Sequence, residues 1–84
     1  MVYQNLSEQL LLRKCSDGDA AAFHEIYSRY KTFVYAVVTA RLEDADDAKD
    51  VTQDIFINLW ATRGRLADLK DFKPWLYILC RNQV

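Results

Sequence analysis

Between Phe23 and Val38 the apolar residues Phe23, Ile26, Tyr27, Tyr30, Val34, Val37 and Val38 recur at three- and four-residue steps. That spacing places them on one side of an α-helix and on no single face of a strand. A helix of this length dominates a chain of 84 residues and obliges the remainder to cover its apolar side. The chain holds only two glycines and one proline, too little punctuation for the many turns of a sheet. The fold class read from these features is all-α: a compact bundle of about four helices in one domain over residues 1–84. Two independent cores do not fit in this length.

The helix boundaries follow from local signals. A first helix is predicted from Glu8 to Ser16, capped by Ser7 and ended by Gly18 in the left-handed conformation, with Leu11, Leu12 and Cys15 inward. Asp19 caps a second from Ala20 to Leu42, whose outer face carries His24, Glu25, Arg29, Lys31 and Thr32. A third starts near Asp44 or Asp46 and reaches Thr62. Ala48, Val51 or Thr52, Ile55, Phe56 and Leu59 form its apolar face, while Asp46, Asp50, Gln53, Asp54 and Ile57 form another. The stretch "TRGRLADLK" reads as a loop pivoting on Gly64. Asp71 then caps a fourth helix, "FKPWLYILCRNQV", with Pro74 in its first turn and Phe72, Trp75, Leu76 and Leu79 inward. Val84 ends that helix in mid-pattern, which gives the expectation of a piece of a longer chain.

An apolar content of 51% with 27% charged residues is that of a globular protein. Cys15 and Cys80 are too few for a disulfide framework and read as buried thiols of a reduced, cytoplasmic protein. No apolar run approaches the roughly 18 residues that span a bilayer. The N-terminus "MVYQNLSEQLLLRKC" lacks a basic start and a small-residue cleavage site, so no signal peptide and no membrane partner are expected.

The near-neutral net charge of −1 conceals a polarity. From Glu43 to Asp54 six acidic residues face one lysine; from Arg63 to Val84 five basic residues face two acidic ones. Asp50, Gln53 and Asp54 share a face with Ile57, although like charges four residues apart cost a helix about 0.2–0.5 kcal/mol. Such a ridge suits a basic partner; a merely solvated acidic face is the plainer alternative. Toward the C-terminus Arg63, Arg65, Lys70, Lys73 and Arg81 surround Phe72, Trp75 and Tyr77. Cations of this kind neutralise phosphates, and exposed aromatic rings stack on unpaired bases. Asn82 both donates and accepts, as reading a base edge requires. Tyr77 and Asn82 are the stronger surface candidates, since Phe72 and Trp75 also suit a core.

Catalytic chemistry finds no support. His24 has no Glu-x-x-His partner, and Asp44, Asp46 and Asp47 lack the glycine and final glutamate of a calcium loop. No phosphate-cradling glycine loop and no cysteine–histidine zinc spacing occur. No enzyme, metal or cofactor is expected.

The blocks "DAKDVTQDIFINLW" and "DFKPWLYILCRN" resemble the second conserved region of bacterial RNA polymerase sigma factors, most closely the extracytoplasmic-function group. The first block matches through Asp47, Ala48, Asp50, Gln53, Phe56 and Trp60, with Val51 and Asp54 as close equivalents. The second matches through Phe72, Trp75, Leu76, Tyr77 and Asn82, with Lys73 for arginine. "LLRKCSDGDAAAFHEIYSRY" is similar to the family's opening helices through Gly18, Asp19, Ala22, Phe23 and Tyr27. The resemblance implies that Asp50, Gln53, Asp54 and their exposed neighbour Ile57 dock on the clamp helices of the largest subunit of core RNA polymerase. It implies also that the Gly64–Lys70 loop and the fourth helix recognise and melt the promoter's minus-ten element, holding its non-template strand. Phosphate contacts would fall to Arg63, Arg65, Lys73 and Arg81, and base contacts to Asn82 and the loop. An anti-sigma factor is an expected further partner. A helical adaptor that keeps the docking face without reading DNA is the alternative.

Three departures accompany the likeness. Lys49 stands where the family often has glutamate, and Ile78 where a basic residue is common. The helix-turn-helix domain that sigma factors use for the minus-thirty-five element has no counterpart in these residues, so recognition of a complete promoter is not expected from them.

Overall fold

The computed structural model describes residues 3–83. Val84, on which the reading of the fourth helix's end rests, and Met1 and Val2 of the N-terminal stretch lie outside the described residues. A 3-10 turn over Tyr3–Asn5 precedes four α-helices: α1 (Glu8–Ser16), α2 (Ala20–Thr39), α3 (Ala45–Ala61) and α4 (Phe72–Gln83). A second 3-10 segment, Arg63–Asp68, joins α3 to α4. The fold is an all-α bundle.

Each of the first three helices begins on a side chain that accepts from otherwise free backbone donors. Ser7 Oγ accepts from Leu10 N–H at 3.2 Å. Asp19 Oδ1 accepts from Ala21 and Ala22 N–H at 3.0 and 3.1 Å, and Asp44 Oδ1 from Asp46 and Asp47 N–H at 2.8 and 3.1 Å. The bonds from Ala22 and Ala21 N–H, with a further one from the Tyr3 hydroxyl, hold the Asp19 carboxyl below its ordinary pKa. Gly18, at φ 95°, supplies the left-handed residue that turns α1 into α2.

α2 is the spine. Phe23 meets Trp60 with ring centroids 5.1 Å apart, and Tyr27 meets Phe56 at 4.8 Å. As numbering rises along α2 it falls along α3, so these two helices run antiparallel. Tyr30 meets Phe72 at 5.0 Å, which seats the start of α4 near the middle of α2. A single core joins Leu11, Cys15, Ile26, Val34, Ile55, Leu59, Leu66, Phe72, Leu76 and Cys80, all buried. On α3 it is Thr52 that is buried rather than Val51; its hydroxyl donates to Ala48 O at 2.7 Å and so carries no unpaired polar atom inward.

Two sequence expectations need correction. α2 ends at Thr39 and not Leu42: the Thr39 hydroxyl donates back to Ala36 O at 3.1 Å, and Arg41 and Leu42 N–H both close on Val38 O. Leu42 then packs against the core instead of continuing the helix. The stretch after Thr62 is not a loop pivoting on Gly64. It is 3-10 helical, with Arg65 N–H on Thr62 O, Leu66 buried, and Gly64 at an ordinary φ with open space where a Cβ would stand. Arg29, on the outer face of α2, is held by partners that the sequence did not indicate. Its Nε meets Glu25 at 2.8 Å, and its Nη2 donates to Tyr3 O, Gln4 O and Leu6 O at 3.3, 3.1 and 2.9 Å. It ties the N-terminal turn to the bundle.

Candidate functional site

Two surfaces carry the residues singled out by sequence. The first is the outward ridge of α3. Ala48, Thr52, Ile55, Phe56 and Leu59 point inward, and the same helix therefore turns Asp46, Asp50, Gln53, Asp54 and Ile57 outward; all five are exposed. Among the described residues the only ion pair is Arg29–Glu25, so the carboxylates of Asp50 and Asp54 face solvent uncompensated. Ile57 is 63% exposed and borders an apolar hollow of about 340 Å3 formed with Ala20, Phe23, Phe56 and Trp60. On the other flank Gln53 edges an open groove of about 400 Å3 between α2 and α3, which also holds Tyr27, Lys31, Tyr35 and Lys49.

The second surface is the outward face of α4. Phe72, Leu76 and Cys80 are buried, which turns Lys73, Tyr77 and Arg81, at four-residue steps, away from the core. Asn82 and Ile78 lie beside them, exposed. The Arg81 guanidinium is 5.8 Å from the centre of the Tyr77 ring, and Lys73 Nζ is 5.0 Å from that of Phe33. Both cations use an aromatic neighbour as a platform while remaining open to solvent. Trp75 is half-buried and stacks on Phe72, so it belongs mainly to the core.

Lys73, Tyr77 and Arg81 thus form one stripe of the helix, and Asn82 is exposed further round it, beyond Arg81. Arg65 and Lys70 are exposed on the 3-10 segment and the residues after it. That segment is held from beneath by Leu66 and from the side by the Ser16 hydroxyl, which donates to Gly64 O at 3.3 Å. Arg63 stands apart. Its Nη1 donates to Trp60 O at 2.9 Å and its guanidinium lies 4.3 Å over the Trp60 ring, so its charge closes the end of α3. His24 is exposed, beside Tyr27. Among the described residues no group of three His, Cys, Asp or Glu is placed to hold a metal ion, and no helix is long and apolar enough to cross a membrane.

Cys15 and Cys80 are fully buried and unpaired. Burial pushes both thiols up to about 11; it also raises Tyr30 to about 12, helped by the bond its hydroxyl donates to Glu8. All three keep their protons longer in the folded chain than in the unfolded one, whose thiols and phenols titrate near 9 and 10. Their contribution is complete below pH 9 and is lost as pH rises toward 11 and 12. The urea midpoint is therefore expected to fall steadily from pH 8.5 to pH 11, and the thiols to react with a disulfide reagent only as the chain unfolds. A flat midpoint, or thiols that react at once at pH 7, would contradict this burial.

Comparison with known proteins identifies the family. The family model for sigma-70 region 2 matches residues 26–84. An ECF RNA polymerase sigma factor SigK of Mycobacterium sp. (strain KMS) is 34% identical over 70 residues, covering 83% of this chain and 36% of that protein. The protein of the same name in Mycobacterium tuberculosis is 38% identical over 74 residues, covering 87% and 40%. The RNA polymerase sigma-H factor of Pseudomonas aeruginosa is 28% identical over 75 residues, covering 89% and 39%. No solved structure gives a significant match. The chain belongs to the sigma-70 region 2 family, in its extracytoplasmic-function group. It spans less than half the length of each of these relatives.

Proposed function

We propose that this chain is the part of a cytoplasmic sigma factor that docks on core RNA polymerase through the α3 ridge and captures the non-template strand of the minus-ten element on α4 and the segment before it. The observation that carries the reading is the pair of organised surfaces of opposite charge on one small bundle. An uncompensated acidic ridge with an apolar end suits a basic protein surface, and a face of cations, tyrosine and amide suits an unpaired strand. Unpairing a base costs a few kcal/mol. Stacking on Tyr77, worth about 1–3 kcal/mol per base, together with phosphate contacts from Lys73, Arg81, Arg65 and Lys70, offsets that cost. Arg63 is assigned the lesser DNA role because Trp60 already holds it. An anti-sigma partner is proposed for the same surfaces, with the hollow beside Ile57 offering it an apolar anchor point.

Titrating single-stranded and duplex promoter-like oligonucleotides against the chain bound to polymerase tests this. A clear preference for unpaired non-template strand is expected. Indifference to strand state would favour a helical adaptor that keeps the docking face alone. Within the DNA face the roles divide. Arg81→Ala is expected to weaken binding to all sequences and reduce the salt slope by roughly 0.7–1 unit. Asn82→Ala is expected to leave the slope intact and to lose about 1–3 kcal/mol of discrimination at one base. Identical behaviour of the two variants would remove the division between positioning and reading.

A further inference from the structure

Ile78 is 57% exposed, on the outward face of α4. The bundle does not need it there, because the helix buries Phe72, Leu76 and Cys80 on the opposite side. Its surface neighbours at helical spacing are Pro74 and Asn82 four residues away and Arg81 three residues away, and all three are exposed. A branched aliphatic side chain is thus surrounded by an amide, a guanidinium and, next in sequence, the phenol of Tyr77. Such a patch fits a ligand that is anionic, hydrogen-bonding and aromatic, with one small apolar projection.

A thymine in a DNA strand has that chemistry: its C5-methyl is the apolar feature that separates it from the other bases. We propose that Ile78 contacts the C5-methyl of a thymine in the captured single strand, next to the base whose edge Asn82 reads. This rests on the DNA-binding reading above and adds a specificity-determining residue to it. The spacing fits the strand's open state. Four helical residues separate Ile78 from Asn82 by about 6 Å along the axis. Stacked nucleotides are about 3.4 Å apart, so side chains at this separation reach adjacent bases only where the strand is unstacked. Arg81 lies three residues from Ile78, within 5.8 Å of the Tyr77 ring centre, placed to meet the phosphate between such neighbours. Where a basic residue at this position would add phosphate affinity without sequence preference, isoleucine trades charge for a contact with one base.

The test uses the chain bound to core polymerase and a set of non-template oligonucleotides in which thymine, then deoxyuridine, occupies each position in turn. The two nucleotides differ only in the methyl group. One position is expected at which deoxyuridine binds about fourfold more weakly than thymine, the effect of one buried methyl, with no difference elsewhere. Ile78→Ala, an exposed substitution that leaves the fold intact by circular dichroism, is expected to bind both forms equally there; Ile78→Val is expected to fall between. Asn82→Ala should retain the methyl preference while losing choice at the adjacent base. If DNA is bound but thymine and deoxyuridine never differ, the methyl contact is wrong and the DNA reading stands. If Ile78→Ala weakens polymerase binding instead and leaves the methyl preference unchanged, the face belongs to a protein partner and the contact is overturned. If no strand is bound at all, the proposed function fails and takes this contact with it.

Discussion

Reversing both charges on the α3 ridge, as D50K/D54K, is expected to weaken binding to core RNA polymerase by about a hundredfold or more, with helix content unchanged. The magnitude follows from what a docked charge loses: truncating one partner of a desolvated pair already costs an interface two orders of magnitude or so, and reversal adds repulsion. The helix itself has little stake in these carboxylates. Both side chains are exposed, neither is ion-paired, and both lie beyond the first turn, where the helix terminus favours negative charge. The thermal midpoint of the variant should therefore stay near that of the parent, since surface changes of this kind sit within about 0.5 kcal/mol. A folded variant that binds polymerase as tightly as the parent would remove the docking assignment. Gln53→Ala and Ile57→Ala, on the same ridge, should give smaller losses in the same direction.

The largest effect on stability is expected from Phe72→Ala. Phe72 opens α4, is buried, and brings its ring to 5.0 Å from Tyr30 and 6.2 Å from Trp75. Removing it is expected to cost about 3–5 kcal/mol, from lost transfer free energy, the cavity left behind and the broken aromatic pairs. A domain of this length holds roughly 4–12 kcal/mol in all, so the variant should be largely unfolded in mild urea where the parent is folded. Phe72→Leu, which keeps most of the volume, should lose well under half as much. The consequence reaches function, because Phe72 fixes the register in which α4 presents Lys73, Tyr77 and Arg81. If Phe72→Ala unfolds at the same urea concentration as the parent, α4 is not anchored in the way described.

How far the sequence carried this picture differs from element to element. α1 was legible to the residue because its signals are local: Ser7 caps it, Gly18 turns the chain, and Leu11, Leu12 and Cys15 repeat at helical spacing. The exposed ridge of α3 was legible for the same reason, since burying one face of a regular helix fixes the other. The end of α2 was not, because apolar periodicity runs on to Leu42. The stop comes from a Thr39 hydroxyl bond and from the pull of Leu42 toward a core built by other helices. The 3-10 segment was hidden behind Gly64, although Leu66 and Leu69, three residues apart, were the available sign of it. Arg63 read as a cation available to phosphate, and nothing in the sequence showed what would hold Arg29. Their acceptors are backbone carbonyls and an indole face brought up by the fold, and carbonyls leave no mark in a sequence.

Photo-crosslinking from the two faces of one molecule measures the central claim most directly. Gln53 and Tyr77 are each replaced, in separate variants, by p-benzoylphenylalanine, and each variant is assembled with core polymerase and a promoter strand opened over the minus-ten element. The Gln53 variant should label the largest polymerase subunit and spare the DNA; the Tyr77 variant should label the non-template strand. Labelling of both targets from one position, or of neither from Gln53 in a complex that has formed, would contradict the division of work between α3 and α4.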